Sequence, residues 1–443
     1  MVVVGAGAAG LMAAIHAAGP TASLARGSNA PGVVVVESTR DGGRKILISG
    51  GGRCNILPGE LDESRFVTDS SANTMKKMLR SWPLSAQRAF FEQELGIELR
   101  LEKETGKLFP ASNRARDVRD ALVSCASSRG ARLRFESPVA ALARIERGGQ
   151  SPLWQLTMRS GETLDACAVI LATGGLSVPK TGSDGSGLRI AGELGHHLQP
   201  TYAALTPLLD ETATFAGLAG ISLDVTLEAS GGRRPLRTRG GFLFTHRGYS
   251  GPSVLDLSHV AVRSLEHRSA PGETSSQPVT QKILQKILAS WTALDREDWE
   301  RELEPRRAGV LGVIRQHLPS RLAERLLDVA GIPPQRSLAE LRSGERRALL
   351  EVLTRAELPW TGHEGYRSAE VTGGGIALSD VDPRTMQSRV AAGLFLCGEM
   401  LDAFGPIGGF NFAWAWATGR AAGEGARAYA ASGDAAARVQ KGA

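Results

Sequence analysis

The 443-residue sequence predicts an α/β protein built on a Rossmann-like dinucleotide-binding domain, and three observations carry that prediction. Val2-Val3-Val4, then Gly5-Ala6-Gly7-Ala8-Ala9-Gly10, then an alanine-rich run from Leu11 to about Ala18 read as strand, GxGxxG turn and helix. Val33 to Val36 is a second strand, ending at Glu37, and completes a βαβ unit. Ala168 to Leu171 and Gly393 to Leu396 are further apolar runs that end near glycines, as buried parallel strands do.

Each part of the unit has a physical reason. Gly5, Gly7 and Gly10 permit the tight turn, the approach of a pyrophosphate and close packing of the helix. The helix start, at Ala8 and Ala9, supplies unpaired amides and the positive end of a dipole. Glu37, with Ser38 beside it, is placed to accept both hydroxyls of an adenosine ribose. The separation from Gly10 exceeds the usual spacing of about 20 residues, because Gly19 to Gly32 reads as an enlarged loop.

Gly42 to Asn55, GGRKILISGGGRCN, reads as a ligand-contacting loop. The triplet Ile46-Leu47-Ile48 anchors it, and Gly50-Gly51-Gly52 let backbone pass close to something large and flat. Arg44, Lys45, Ser49, the three glycines and Asn55 are therefore candidate cofactor contacts.

Composition narrows the class. The length suggests two or three domains, and 53 glycines suit a nucleotide-binding α/β protein. A formal charge of +6 is modest for this size, and a basic surface is a weak vote for nucleic acid. Cys54, Cys125, Cys167 and Cys397 are scattered without a CxxC, against a zinc site, a disulfide framework or a dithiol redox centre, and no metal is expected. His196, His197 and His246 lack metal-ligand spacing. No stretch approaches the about 18 apolar residues of a membrane span, and no charged leader precedes an apolar segment, so a cytoplasmic protein is expected. The first strand begins at Val2, so either the natural start lies slightly upstream or nothing precedes the strand.

The late motifs point to the particular dinucleotide. Ala172-Thr173-Gly174 closes the strand before it, and Gly398-Glu399 closes another. Both resemble the late motifs of FAD enzymes of the glutathione-reductase superfamily, a resemblance that gives Glu399 a ribityl hydroxyl to hold. Gly408-Gly409, Phe410 and Asn411 follow, with a helix starting near Phe412 whose N-terminus suits negative charge at the edge of a flavin.

Taken together, GAGAAG at 5–10, GRKILISGGGRCN at 43–55, ATGG at 172–175, TGSDGSG at 181–187, TGGGI at 372–376 and the Gly398 to Asn411 segment make the chain resemble the BaiN/RdsA flavoprotein family. That family comprises NAD(P)/FAD-dependent oxidoreductases, also described as aminoacetone-oxidase-like. Gln387 and Phe410 depart from its usual glutamate and tyrosine. The resemblance implies a discontinuous FAD-binding domain over 1–195 and 366–443, a β-rich barrel-like domain over 196–260 and 335–365, and a small helical insert over 261–334. Short β-rich runs between His196 and Leu257 agree with the second part. Arg268 to Pro278 reads as a linker, and Val279 to Leu294 and Val310 to Val329 space their apolar residues as helices do.

The chemistry is then redox at the flavin. No second GxGxxG follows a strand, so reduced nicotinamide, NAD(P)H, would visit the flavin face transiently as donor. Lys45 and Arg53 either orient an anionic substrate or the nicotinamide phosphate, or pair with FAD phosphates or a carboxylate. Cys54 is either a general acid or a small packed residue beside the flavin.

The resemblance implies reduction of an activated C=C bond, either in a uridine of large-subunit ribosomal RNA or in an enoyl or steroid-like small molecule. A pI near 9.3 and the clusters Arg114-Arg116-Arg119 and Arg233-Arg234-Arg237-Arg239 favour the RNA. An amine oxidase passing electrons to O₂ and a non-enzymatic flavin-binding or RNA-binding protein are the competing classes.

Overall fold

A computed structural model describes residues 1–20, 32–145, 153–229, 235–266 and 285–441. The loop expected over Gly19–Gly32, the linker expected over Arg268–Pro278, and Arg233 and Arg234 lie wholly or mostly outside these residues. The chain divides into two compact units, Met1–Thr201 with Val371–Ala443, and Tyr202–Glu370.

The first unit is organised on a five-stranded parallel sheet, in the order Leu394–Leu396, Val169–Leu171, Val2–Val4, Val34–Val36, Arg132–Arg134. Its central strands are valine, isoleucine and leucine throughout, because helices cover both faces of such a sheet. Val3 sits opposite Ile170 on one side and Val35 on the other. The first helix, Ala8–Ala18, is buried along nearly its whole length against the terminal helix Phe410–Lys441. Small residues make that approach possible: a Cβ on Gly419 would lie 2.4 Å from the Ala9 carbonyl oxygen, and one on Gly423 2.3 Å from that of Ala13.

Gly42–Asn55 is not loop throughout, contrary to the expectation. Gly43, at φ 72°, turns the chain into one helical turn, Arg44–Ile48, which directs Ile46 into the core. A tighter turn follows over Ser49–Gly52, with Gly50 and Gly51 at φ 56° and 67°, a region that glycine enters without cost.

The second unit carries a seven-stranded antiparallel sheet in the order 356–358, 287–290, 222–229, 236–244, 248–250, 208–209, 362–363. Phe242, Phe244, Tyr249 and Trp291 meet in its core. The helices between 296 and 355 share this core, since Trp299, Leu322, Leu326 and Leu349 belong to the same buried cluster.

Two expectations change here. Ile287–Ser290 is a strand between 226–229 and 356–358, not part of a helix over Val279–Leu294. Along the strand Ile287 and Ala289 face inward and Leu288 does not, a period of two, and pairing on both edges decided for the strand. Val310–Val329 is two helices, Val310–Ile314 and Ser320–Val329, because Pro319 disfavours helical backbone at Leu318. Among the described residues no helix is long and apolar enough to cross a membrane.

Candidate active site

The nucleotide cradle forms where the first strand meets the first helix. Gly5, at φ 99°, donates its amide to the Val36 carbonyl at 2.8 Å, and a Cβ there would lie 2.5 Å from the Ala172 oxygen. A Cβ on Gly10 would lie 1.9 Å from the Gly5 oxygen, so only glycine lets helix and strand approach this closely. Gly7 differs: its missing Cβ would meet nothing within 4 Å, and no side chain caps the helix that starts beside it. The site therefore has the contact density that excludes side chains at 5 and 10 and the open, amide-lined space that a pyrophosphate needs at 7. These features fit FAD.

Glu37 is buried and held by its own neighbourhood. One carboxylate oxygen accepts from the Ala6 amide at 2.7 Å, the other from the amide and hydroxyl of Thr39 at 2.8 Å each and from Ser38 Oγ at 3.2 Å. These four donors fix the carboxylate at the edge of the cradle.

A second cluster joins segments that are remote in sequence. Lys45 Nζ stands 2.7 Å from Glu399 Oε2 and donates to Ser177 Oγ at 2.7 Å. Glu399 Oε1 accepts from the hydroxyl of Ser177, from the Thr372 amide at 3.1 Å and from the Thr372 hydroxyl at 3.0 Å. The Thr372 hydroxyl in turn accepts from the amides of Leu176 at 2.7 Å and Ser177 at 3.2 Å. Only glycine fits at 175, where a Cβ would sit 2.3 Å from Thr372 Oγ1. Sequence reasoning singled out Lys45 and Glu399 but not Ser177 or Thr372; the sole signal was that Ser177 follows ATGG and Thr372 opens TGGG.

The remaining candidates fall elsewhere. Arg53 pairs with Glu102 at 2.9 Å, and its guanidinium lies 4.1 Å from the centre of the Phe109 ring. Arg44 pairs with Asp41 at 3.0 Å, and Ser49 Oγ donates to the Ile46 carbonyl at 2.7 Å. Cys54 is fully buried, at φ 61°, and burial pushes its thiol up to about 12. Gly51 faces open space, whereas a Cβ on Gly50 would press on the Asn55 amide at 3.1 Å and on the Phe109 ring. Gly408 and Gly409 have φ of 108° and 94°, and a Cβ on Gly409 would lie 2.4 Å from the Leu57 carbonyl carbon. Asn411 clamps Gly405, accepting its amide at 2.9 Å and donating to its carbonyl at 2.9 Å, and Phe412 stacks on Trp416. Thr173 and Gly174 pack against Gly187 and Ser183. The terminal helix starts at Phe410. Among the described residues no cluster of three or more metal-ligating side chains exists.

The parallel sheet, its glycine cradle and the carboxylates at 37 and 399 define an FAD-dependent oxidoreductase with a Rossmann-type domain. Residues 1–425 match the family described as HI0933-like protein Rossmann domain, and the chain belongs to that family. It is 32% identical over 426 residues to the ribosomal RNA dihydrouridine synthase of Escherichia coli (strain K12), covering 94% of this chain and 95% of the relative. The protein of the same name from Haemophilus influenzae is 31% identical over 422 residues, covering 94% and 96%. The 3-dehydro-bile acid delta(4,6)-reductase of Clostridium scindens is 30% identical over 426 residues, covering 96% and 98%.

Proposed function

We propose that the protein reduces a uridine in large-subunit ribosomal RNA to dihydrouridine, in the cytoplasm, with NAD(P)H as electron donor. The observation that carries this reading is the correspondence, over nearly the whole of both chains, with two relatives named for that product. A basic pI near 9.3 suits a polyanionic substrate. The balance is uridine, NAD(P)H and one proton going to dihydrouridine and NAD(P)⁺: hydride adds to one carbon of the C=C bond and a proton to the other.

When bound, FAD supplies the two-electron carrier between nicotinamide and uracil. The chain's residues hold and orient. The amides at the start of the first helix would hold the pyrophosphate, and Glu37 would accept the ribose hydroxyls. Lys45, Ser177 and Thr372 fix the Glu399 carboxylate, which would accept a ribityl hydroxyl. Arg53, tied to Glu102, shapes the wall of the glycine turn. We assign Cys54 a packing role, because its thiol is enclosed on every side and an acid must reach its substrate.

The test is anaerobic reduction of the yellow protein with NADH and with NADPH, followed by unmodified ribosomal RNA. Reoxidation of the flavin together with two added hydrogens on one uridine of the digested RNA is the expected result. Reduced protein that ignores RNA but is reoxidised by a steroid-like enone would favour the second reading, which the bile-acid reductase relative supports. Fast reoxidation by O₂ with peroxide, driven by an amine, would make it an oxidase instead.

A further inference from the structure

We propose that an open pocket at the start of the helix Ala115–Ser128 is a subsite for a backbone phosphate of the nucleic-acid substrate, an inference that rests on the RNA reading above. The pocket holds about 370 Å³ and is lined by Leu47, Gly52, Arg114, Ala115, Arg116 and Asp117. That volume falls within the roughly 300–1,000 Å³ of ligand sites.

Its charge is what a phosphate needs. Arg114 and Arg116 are both exposed, and Arg116 has no ion-pair partner among the described residues. Arg114 leans on Asp117 at 3.1 Å. The Ser112 hydroxyl, and after it Arg114, hold the Asp117 carboxyl below the usual carboxylate range, so it stays a single negative charge against two guanidiniums. The helix is 14 residues long, no side chain caps its start, and the Asp117 amide donates to the Arg114 carbonyl at 3.1 Å, so the positive end of the helix dipole adds to the two guanidiniums.

The third arginine of the sequence cluster marks the boundary. Arg119 is turned inward, donating to the Gly42 carbonyl at 3.3 Å and pairing with Asp120, so it braces the glycine segment rather than the pocket. The rest of the lining is Gly52, which has no side chain, and Leu47, with Ile48 next in the chain 53% exposed. Two outward arginines with an apolar shelf beside them suit a phosphodiester whose sugar or base rests on the shelf; a small free anion would gain nothing from that shelf. The pocket also shares Gly52 with the turn Ser49–Gly52 that the cofactor reading uses.

The experiment measures binding of the full-length, FAD-loaded protein to unmodified ribosomal RNA fragments at several salt concentrations, with an R114Q/R116Q variant alongside. Unchanged FAD content and absorbance spectrum establish that the variant is folded. The expected result is roughly tenfold weaker binding, uniform across RNA sequences, with the slope of log affinity against log salt reduced by about 0.7, as loss of one single-strand phosphate contact requires. A variant with wild-type affinity and slope would overturn the proposal, as would one that loses only its preference for NADPH over NADH, which would give the pocket to the nicotinamide phosphate. Wild-type protein that binds no RNA at any salt concentration would instead bring down the substrate reading, and the proposal with it.

Discussion

Lys45 and Glu399, 354 residues apart in the chain, meet at 2.7 Å, and Ser177 and Thr372 complete the ring around the carboxylate. Their side chains are only 28% and 17% exposed, so neither charge is well solvated without the other. Removing one partner strands the other, which costs more than the pair contributes. Lys45→Met is therefore expected to destabilise the protein by about 1–3 kcal/mol and to weaken FAD binding. Thermal unfolding with and without added FAD reads both effects. In a double-mutant cycle, Lys45→Met with Glu399→Gln should recover part of the loss; strictly additive effects would mean that the two groups do not communicate.

Gly51 separates strain in the chain from contact with a ligand. Its φ of 67° disfavours any side chain by about 1–2 kcal/mol, yet a Cβ there would touch no protein atom within 4 Å. Gly51→Val should consequently fold with a modest loss of stability and purify with little or misplaced FAD. Retention of full, normally reducible FAD would show that this turn does not face the cofactor.

Cys54 makes a prediction in pH. Its thiol ionises near 12 in the folded chain, well above the ordinary thiol value, because burial disfavours the thiolate. A group whose folded pKa is raised contributes its full stability below the unfolded pKa and loses it as pH climbs through the window up to the folded value. Unfolding free energy should thus fall between about pH 9 and 12, with this thiol supplying up to about 1.4 kcal/mol per pH unit. Cys54→Ala should flatten that decline relative to wild type while leaving the protein yellow, and Cys54 should resist alkylation until the chain unfolds. A slower reductive step in Cys54→Ala, with an altered pH profile, would restore the acid role.

What was legible in the sequence was local. Gly5, Gly7, Gly10 and Glu37 lie within one βαβ unit, and their placement at the meeting of strand and helix follows from spacing alone. The ring around Glu399 was half visible: the carboxylate and Lys45 stand in motifs, but Ser177 and Thr372 enter through tertiary contact, which no spacing encodes. For Arg53 the sequence left open an anionic ligand or a carboxylate partner, and the structure pairs it with Glu102 beside Phe109; Arg119, grouped with a basic cluster, is occupied by Gly42 and Asp120. Ile287–Ser290 read as helix because its four residues fit two periods, and only the partners at 226–229 and 356–358 choose between them.

The meeting of the first and terminal helices gives the remaining prediction. Gly419 and Gly423 lie one helical turn apart on the terminal helix and abut the carbonyl oxygens of Ala9 and Ala13, at distances that no real Cβ could occupy. Ala9 belongs to the first turn of that helix, whose amides we propose as the pyrophosphate site, so the position of the cradle follows how closely the terminal helix approaches. Gly423→Ala must push the helices apart or bend one of them, an overpacking that typically costs about 1–3 kcal/mol. The displaced first turn should also loosen FAD, although residue 423 lies well away from the cradle in sequence. Gly312, in the second unit, has no neighbour within 4 Å of its missing Cβ and also lies within a helix, so Gly312→Ala serves as the control and should leave FAD binding unchanged. Calorimetry and FAD titration of the two variants decide the matter: equal FAD affinity in both would mean that the cradle is positioned by the parallel sheet alone.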